Sequence, residues 1–175
     1  MKNVKLTLLL TLIMTVTVIA TNAQTQANPC DSDKVHEFDF WIGEWDVYKF
    51  GTDTLVGHNI ITAVAGGCAL TENWTGGGSI GNSINKYNFA KGKWQQMWVD
   101  NSGATLLIEG GYEDGKMIME NEQPRRDGKG KVKNKITWYN NSDGTVRQFW
   151  QQSIDAGKTW VVAFDGHYKK VKGSQ

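Results

Sequence analysis

The chain has 175 residues, of which 19 are Lys or Arg and 18 are Asp or Glu, so its formal net charge is +1. A balanced charge offers no general attraction to a polyanion, and nucleic acid is therefore excluded as an expected partner. Residues 1–23 combine Lys2 and Lys5 with an apolar run and small residues at the end. This pattern is typical of a cleaved signal peptide, because the run of about 15 apolar residues is too short for a membrane anchor. We expect a protein exported to the periplasm or secreted, with no membrane contact after cleavage.

The remaining length of about 150 residues is that of one domain with a single core. We expect an N-terminal segment over 24–37 and a single folded domain over 38–171. The only cysteines are Cys30 and Cys68, and an exported protein folds where thiols oxidise, which predicts a disulfide that closes a loop of about 38 residues. Two free thiols are the alternative.

Short runs rich in Trp, Tyr, Val and Ile alternate with turn clusters of Gly, Asp and Asn from residue 40 onward. This alternation predicts β-hairpins, with strands over 40–50, 55–64, 68–75, 83–90, 93–100, 104–112, 116–123, 131–140, 145–153 and 159–170. About ten hairpin-linked strands hide their two edges most simply by closing. We therefore predict an all-β fold, an antiparallel up-and-down β-barrel of about ten strands with a short N-terminal helical turn; a β-sandwich is the alternative.

Two of the loops have a distinctive residue composition. The glycine-rich stretch 76–81 is predicted to be a flexible barrel loop. The loop at 153–160 fits the pattern S-x-D-x-G-x-T-W, which resembles the hairpin turns of sialidase propeller blades. The pattern is structural in those proteins and repeats from blade to blade. It occurs once here, and we therefore predict a stabilised hairpin and no sialidase.

Strand alternation places tryptophan and polar side chains on the same face in several strands, because residues i and i+2 point the same way. Examples are Glu72 with Trp74, Gln96 with Trp98, and Trp150 with its glutamine neighbours. A sealed core would favour Leu, Ile and Val, since an unpaired buried polar group costs about 1 to 3 kcal/mol. The pattern favours a barrel that holds a ligand, and the alternative is a filled barrel whose polar residues face solvent.

Several stretches together resemble an uncharacterised family of exported bacterial proteins with a lipocalin-like (calycin-type) barrel. They are 38–47 (FDFWIGEWDV), 67–74 (GCALTENW), 94–100 (WQQMWVD), 108–111 (IEGG), 146–150 (VRQFW) and 157–168 (GKTWVVAFDGHY). The resemblance covers essentially the whole mature chain. It implies that Trp45, in a Gly-x-Trp signature on the first strand, closes the barrel floor, and that the family tends to carry cysteines where Cys30 and Cys68 lie.

A more distant likeness is to nitrobindin-type barrels, which hold haem through a histidine near the end of the chain. His167 invites the comparison, but the rest of that haem-pocket pattern is missing. The three histidines, His36, His58 and His167, show no ligand spacing such as His-x-His. We expect no metal site and no cofactor.

The expected function is binding of a small, partly apolar ligand in the lumen by a monomer or weak homo-oligomer. The candidate ligand-binding residues are Glu72, Trp74, Gln96, Trp98, Glu109, Arg147 and Trp150. The alternative is a barrel enzyme, a hydrolase, lyase or isomerase on a secreted or cell-wall/glycan substrate, with Glu72 and Glu109 as acid and base. For these two acids, an ion pair with Arg147 or plain exposure is the competing interpretation.

Overall fold

A computed structural model describes residues 28–171 and residue 173. The expected signal peptide lies outside these residues. An α-helix, α1, spans Asp33–His36, and 3-10 turns span Pro29–Asp31, Asp39–Trp41 and Ala65–Gly67. The strands are β1 (Gly43–Lys49), β2 (Leu55–Val64), β3 (Ala69–Gly76), β4 (Ser79–Asn88), β5 (Lys93–Asp100), β6 (Thr105–Glu113), β7 (Lys116–Pro124), β8 (Lys131–Asn140), β9 (Val146–Ser153) and β10 (Val161–Lys170). None of the helices in this part of the chain is long and apolar enough to cross a membrane.

The ten strands form one closed antiparallel barrel in which each strand pairs with its neighbours in the chain. The first and last strands complete the circle, with Trp45 opposite Lys170 and Tyr48 opposite His167. Closure leaves no free sheet edge, which is the physical reason for expecting a barrel from hairpins alone. The predicted all-β barrel of about ten strands is confirmed.

Two predicted strand boundaries, the starts of β1 and β4, are wrong by three or more residues for local reasons. Ser79 already belongs to β4, because Gly77 and Gly78, with φ of 59° and 79°, make a two-residue hairpin turn. The predicted flexible loop at 76–81 is therefore a tight turn. The first strand begins at Gly43 and not at residue 40, because Phe40 and Trp41 lie in a 3-10 turn.

One end of the barrel is covered by the segment 29–41, and we call it the closed end. Val35, Phe38 and Trp41 are fully buried there. The Phe38 ring stacks on Trp41 at 4.9 Å and meets the edge of Trp138, an inward residue of β8, at 5.3 Å. Trp45 is also buried at this end, and its Nε1 donates to the Trp41 carbonyl at 2.9 Å. The segment thus acts as an aromatic plug.

The disulfide Cys30–Cys68 holds this plug to the connection between β2 and β3. The bond confirms the predicted pairing, and it indicates that the chain folds in an oxidising compartment. Since it joins two points 38 residues apart in sequence, it removes much of the freedom of the unfolded chain.

The opposite end, which we call the open end, carries the β1–β2, β3–β4, β5–β6, β7–β8 and β9–β10 loops. The β9–β10 loop is the stabilised hairpin predicted at 153–160. Asp155 accepts hydrogen bonds from the Thr159 amide at 2.9 Å and the Thr159 hydroxyl at 2.6 Å, and Trp160 Nε1 donates to the Gly157 carbonyl at 3.1 Å. These bonds fix the turn without help from the lumen.

Candidate functional site

A cavity of about 390 Å³ occupies the lumen at the open end. Its apolar wall is made by four aromatic side chains, together with Leu106 and Ile136 below them; the aromatic residues are Trp74, Trp98, Trp150 and Phe164. Its polar surface comes from Glu72, Gln96, Gln148 and Tyr168. This combination of a large apolar wall and a few convergent polar groups is the usual composition of a small-molecule site.

Inward-facing glycines make room for the aromatic wall. A Cβ on Gly57 would collide with the Trp74 ring, one on Gly81 with the Trp98 ring, and one on Gly166 with the Phe164 ring. Each ring therefore lies against the backbone of its own or a neighbouring strand, in space that a side chain would otherwise fill. The arrangement gives the cavity an aromatic lining while keeping its centre open.

Glu72 is the buried acid of the cavity, and its residue is only 4% exposed. One carboxyl oxygen accepts a hydrogen bond from Asn59 Nδ2 at 2.8 Å, and the other accepts from Ser83 Oγ at 2.6 Å. Burial raises the pKa of Glu72 to about 7, although both hydrogen bonds act in the opposite direction. The carboxyl group can therefore change its charge near neutral pH.

A chain of neutral donors points toward this carboxyl group from β4 and β5. Gln96 Nε2 donates to Asn85 Oδ1 at 2.7 Å, and Asn85 Nδ2 donates to Ser83 Oγ at 2.9 Å. Ser83 then donates to Glu72. Such connected bonds hold the carboxyl group in one position.

Tyr168, on β10, reaches the same region from the other side. Its hydroxyl donates to Gln148 Oε1, and it lies 3.4 Å from Asn59 Nδ2, which donates to it. Burial, together with the nearby Glu72, raises the pKa of the Tyr168 hydroxyl well above its ordinary value. The Oδ1 atom of Asn59 has no hydrogen-bond partner among the described residues.

The charged groups of the cavity are all acids. Glu72 lies deep, Asp100 lies at the mouth, and none of the lining residues is Lys, Arg or His. A hydrogen bond from the Ser102 hydroxyl lowers the pKa of Asp100, so this carboxylate stays charged at neutral pH. The cavity therefore combines acidic groups with aromatic walls.

The structure brings five of the seven predicted binding residues together around this cavity: Glu72, Trp74, Gln96, Trp98 and Trp150. The inward placement of Glu109 is wrong. It lies on the outer face of β6, where its carboxylate contacts Lys91 Nζ at 2.8 Å and Lys93 Nζ at 3.4 Å. These hydrogen bonds, with one from Gln95, lower the pKa of Glu109 to about 2.

Arg147 is also misplaced by the prediction. Its guanidinium group makes two hydrogen bonds of 2.8 Å to Asp165 on the outer face of the barrel and lies 3.7 Å from the centre of the Phe50 ring. Neither Arg147 nor Glu109 lines the cavity. Glu109 therefore cannot pair with Glu72 as a second acid in a common site.

The histidines lie away from the cavity. His36 pairs with Asp39 at 2.7 Å, His58 lies between Glu44 and Asp46, and His167 packs beside Phe50 on the outer face. In the region that the structure describes, no cluster of three or more His, Cys, Asp or Glu side chains is arranged to hold a metal ion.

Sequence reasoning missed several polar residues that build the site, namely Asn59, Ser83, Asn85, Gln148 and Tyr168. A signal for some of them was present. Gly57 alternates with Asn59 on β2, and Gly81 alternates with Ser83 on β4. Glycine inside a strand marks a place where another group approaches the backbone closely, and its polar neighbours on the same face then face the lumen.

Neither a scan against protein-family models nor a search of the curated proteins finds a match to this chain. The interpretation of the cavity therefore depends on its own chemistry.

Proposed function

We propose that the protein is an exported, lipocalin-like barrel that binds a small, partly apolar molecule in the open end of its lumen. The observation that carries this proposal is the cavity of about 390 Å³, walled by four aromatic rings around the buried Glu72. Its volume lies within the range of about 300 to 1,000 Å³ that is usual for small-molecule sites. The oxidising compartment indicated by the disulfide, and the signal-peptide pattern of residues 1–23, support export.

The arrangement of the barrel supports binding over a purely structural role. The plug at the closed end supplies a compact aromatic core, with Trp41, Trp94 and Trp138 each at most 1% exposed. The open end does not repeat this packing, because Gly57 and Gly81 let the aromatic rings lie against the wall. A lumen that is filled at the closed end and accessible at the open end suits a binding protein with a rigid base.

The proposal is tested with N-phenyl-1-naphthylamine, a neutral apolar dye whose fluorescence rises in an apolar site. We expect saturable binding to the wild type and loss of binding in Gly81→Leu, because a side chain there displaces the Trp98 ring into the lumen. Gly111→Leu is the matched control: it adds the same side chain on β6 at a position where nothing lies within 4 Å.

Circular dichroism shows whether each variant is folded. Ala163→Trp, at an exposed position on the rim of the cavity, narrows the mouth without entering the core and serves as a second blocking variant. A wild-type protein that does not bind the dye, or equal binding by blocked and control variants, contradicts binding in the lumen.

Catalysis is a second candidate because the pKa of Glu72, raised to about 7 by burial, is suited to proton transfer at neutral pH. The protein would then be a hydrolase, lyase or isomerase that uses Glu72 as acid or base, without Glu109. Incubation of a small-molecule extract of the producing organism with the wild type and with Glu72→Gln, followed by mass spectrometry, distinguishes the cases. Products that form with the wild type and not with Glu72→Gln support catalysis, and identical mass-spectrometric profiles for the two proteins contradict it.

A further inference from the structure

We propose that the molecule held in this cavity is an organic cation, an amine or quaternary ammonium with apolar substituents. The inference rests on the proposed binding function and adds the charge of the ligand to it.

Glu72 has no positively charged partner within the described part of the chain. Its carboxyl oxygens accept one hydrogen bond each, from the neutral groups of Asn59 and Ser83, and no basic side chain lines the cavity. An ionised carboxylate carries about four acceptor positions, and burying it without a counter-charge is costly. A bound cation would supply that counter-charge.

The aromatic wall of the cavity is also suited to a cation. Trp74, Trp98, Trp150 and Phe164 surround the space beside this acid. The face of an aromatic ring is negative, and Trp is the most effective residue for holding a cation in this way. Apolar substituents on a nitrogen atom match such a wall, whereas a strongly hydrated metal ion would not.

In the region that the structure describes, Asn59 leaves a hydrogen-bond acceptor unused next to Glu72. The donors of Ser83, Asn85 and Gln96 are already engaged within the polar network. The Oδ1 atom of Asn59, a residue with 0% exposure, accepts no hydrogen bond from any described residue. An anionic head group would meet two acids at this cavity and no cationic donor, so fatty acids and other anions are disfavoured.

A dependence on pH follows from the titratable groups that face Glu72. Asn59 and Ile61 from β2 and Ser83 from β4 do not titrate. Tyr168 from β10 stays neutral, because burial raises the pKa of its hydroxyl well above the ordinary value. Asp100 from β5, at the mouth, stays charged. Burial raises the pKa of Glu72 to about 7, so among these groups facing the cavity only Glu72 changes charge between pH 6 and pH 8.

A permanent cation binds the ionised form of Glu72, and its affinity therefore rises with pH. With a pKa of about 7 in the free protein, the ionised fraction grows by about tenfold between pH 6 and pH 8, and the affinity grows by up to the same factor. A neutral ligand gains nothing from this ionisation.

The experiment is competition against bound N-phenyl-1-naphthylamine with three probes that share a phenyl ring: benzyltrimethylammonium, benzyl alcohol and phenylacetate. We expect the cation to displace the dye at a concentration about tenfold lower than the alcohol at pH 8, with phenylacetate weakest. Lowering the pH to 6 weakens the cation by up to about tenfold and leaves the alcohol unchanged.

Glu72→Gln keeps the shape of the side chain and removes its charge. We expect this variant to lose the preference for benzyltrimethylammonium over benzyl alcohol and to lose the pH dependence of that preference. Glu109→Gln is the matched control, since it removes an acid from the outer face, and it should behave as the wild type.

The outcomes separate the two proposals. Dye binding with equal displacement by the three probes, or with phenylacetate as the strongest competitor, overturns the cation and leaves the proposed function intact. A wild-type preference for the cation that survives in Glu72→Gln overturns the assignment of Glu72 as its counter-charge. Failure of the folded wild type to bind the dye overturns the proposed function itself.

Discussion

The tryptophans divide between the two ends of the barrel and have different surroundings there. Trp41, Trp45, Trp94 and Trp138 are at most 1% exposed and belong to the closed end. Their neighbours are other aromatic rings and apolar side chains such as Met117 and Met119. Trp74, Trp98 and Trp150 at the open end are only partly buried and share the lumen with Glu72, Gln96 and Gln148.

This difference shows that tryptophan content alone does not mark a binding site. At the closed end the rings are buried against one another, since Phe38 and Trp41 enter the barrel from the N-terminal segment. At the open end, Gly57 and Gly81 let the rings lie against the wall. The surrounding small and polar residues, rather than the aromatic residues themselves, separate a core from a cavity.

Alanine variants of Trp138 and Trp98 test whether the two ends differ in their contribution to stability. The Trp138 variant should have the largest effect. Trp138→Ala should lower the free energy of unfolding by about 3 to 5 kcal/mol, because it leaves a cavity in a fully packed core. Trp98→Ala should cost about 1 to 2 kcal/mol, because its ring already borders open space. Denaturation by guanidinium chloride measures both, and similar losses for the two variants would mean that the ends are equally packed.

Removing the disulfide tests the closed end alone. The double variant Cys30→Ser/Cys68→Ser should lose about 3 to 4 kcal/mol of stability, since the loop of 38 residues is no longer closed in the unfolded chain. Binding of N-phenyl-1-naphthylamine should keep its affinity while the protein is folded, because the bond lies at the opposite end from the cavity. A weaker affinity in the folded variant would show that the plug also shapes the cavity.

Much of the fold could be predicted from local patterns. The predicted ranges 55–64, 93–100 and 131–140 coincide with β2, β5 and β8, because turn residues at both ends and alternation between them are local signals. The beginning of β1 was wrong for a tertiary reason. Phe40 and Trp41 have strand propensity, but they lie in the turn of the plug, where burial at the closed end outweighs propensity.

The site was predictable only in part, because alternation groups side chains without saying which group is inside. The two faces of β6 both carry apolar residues: Leu106 and Ile108 point inward, while Leu107, on the same face as Glu109, is 57% exposed. Nothing in this strand alone distinguishes them. The pairing of Arg147 with Asp165 joins strands β9 and β10 and depends on register, which the sequence pattern leaves open.

Glu72 should make the stability of the protein depend on pH, an effect smaller than the loss expected for Trp138→Ala. The pKa of Glu72 in the folded protein, raised by burial to about 7, exceeds the ordinary value of 4.5. The folded state therefore binds the proton more tightly than the unfolded state, and stability is lost as the pH rises from the lower value toward the higher one. Relative to Glu72→Gln, the ligand-free wild type should lose about 2 kcal/mol of unfolding free energy between pH 5.5 and pH 8.

Urea denaturation of the wild type and Glu72→Gln across this range measures the difference in their unfolding free energies. The titration of all groups that the two proteins share cancels in this difference. The carboxylate of Glu109 provides the control, because its lysine contacts hold its pKa at about 2 and it stays charged throughout this range. The stability of Glu109→Gln should therefore run nearly parallel to that of the wild type. A constant difference between the wild type and Glu72→Gln would mean that the Glu72 carboxyl group does not titrate near neutral pH, and the closed and open ends would then differ in packing but not in electrostatics.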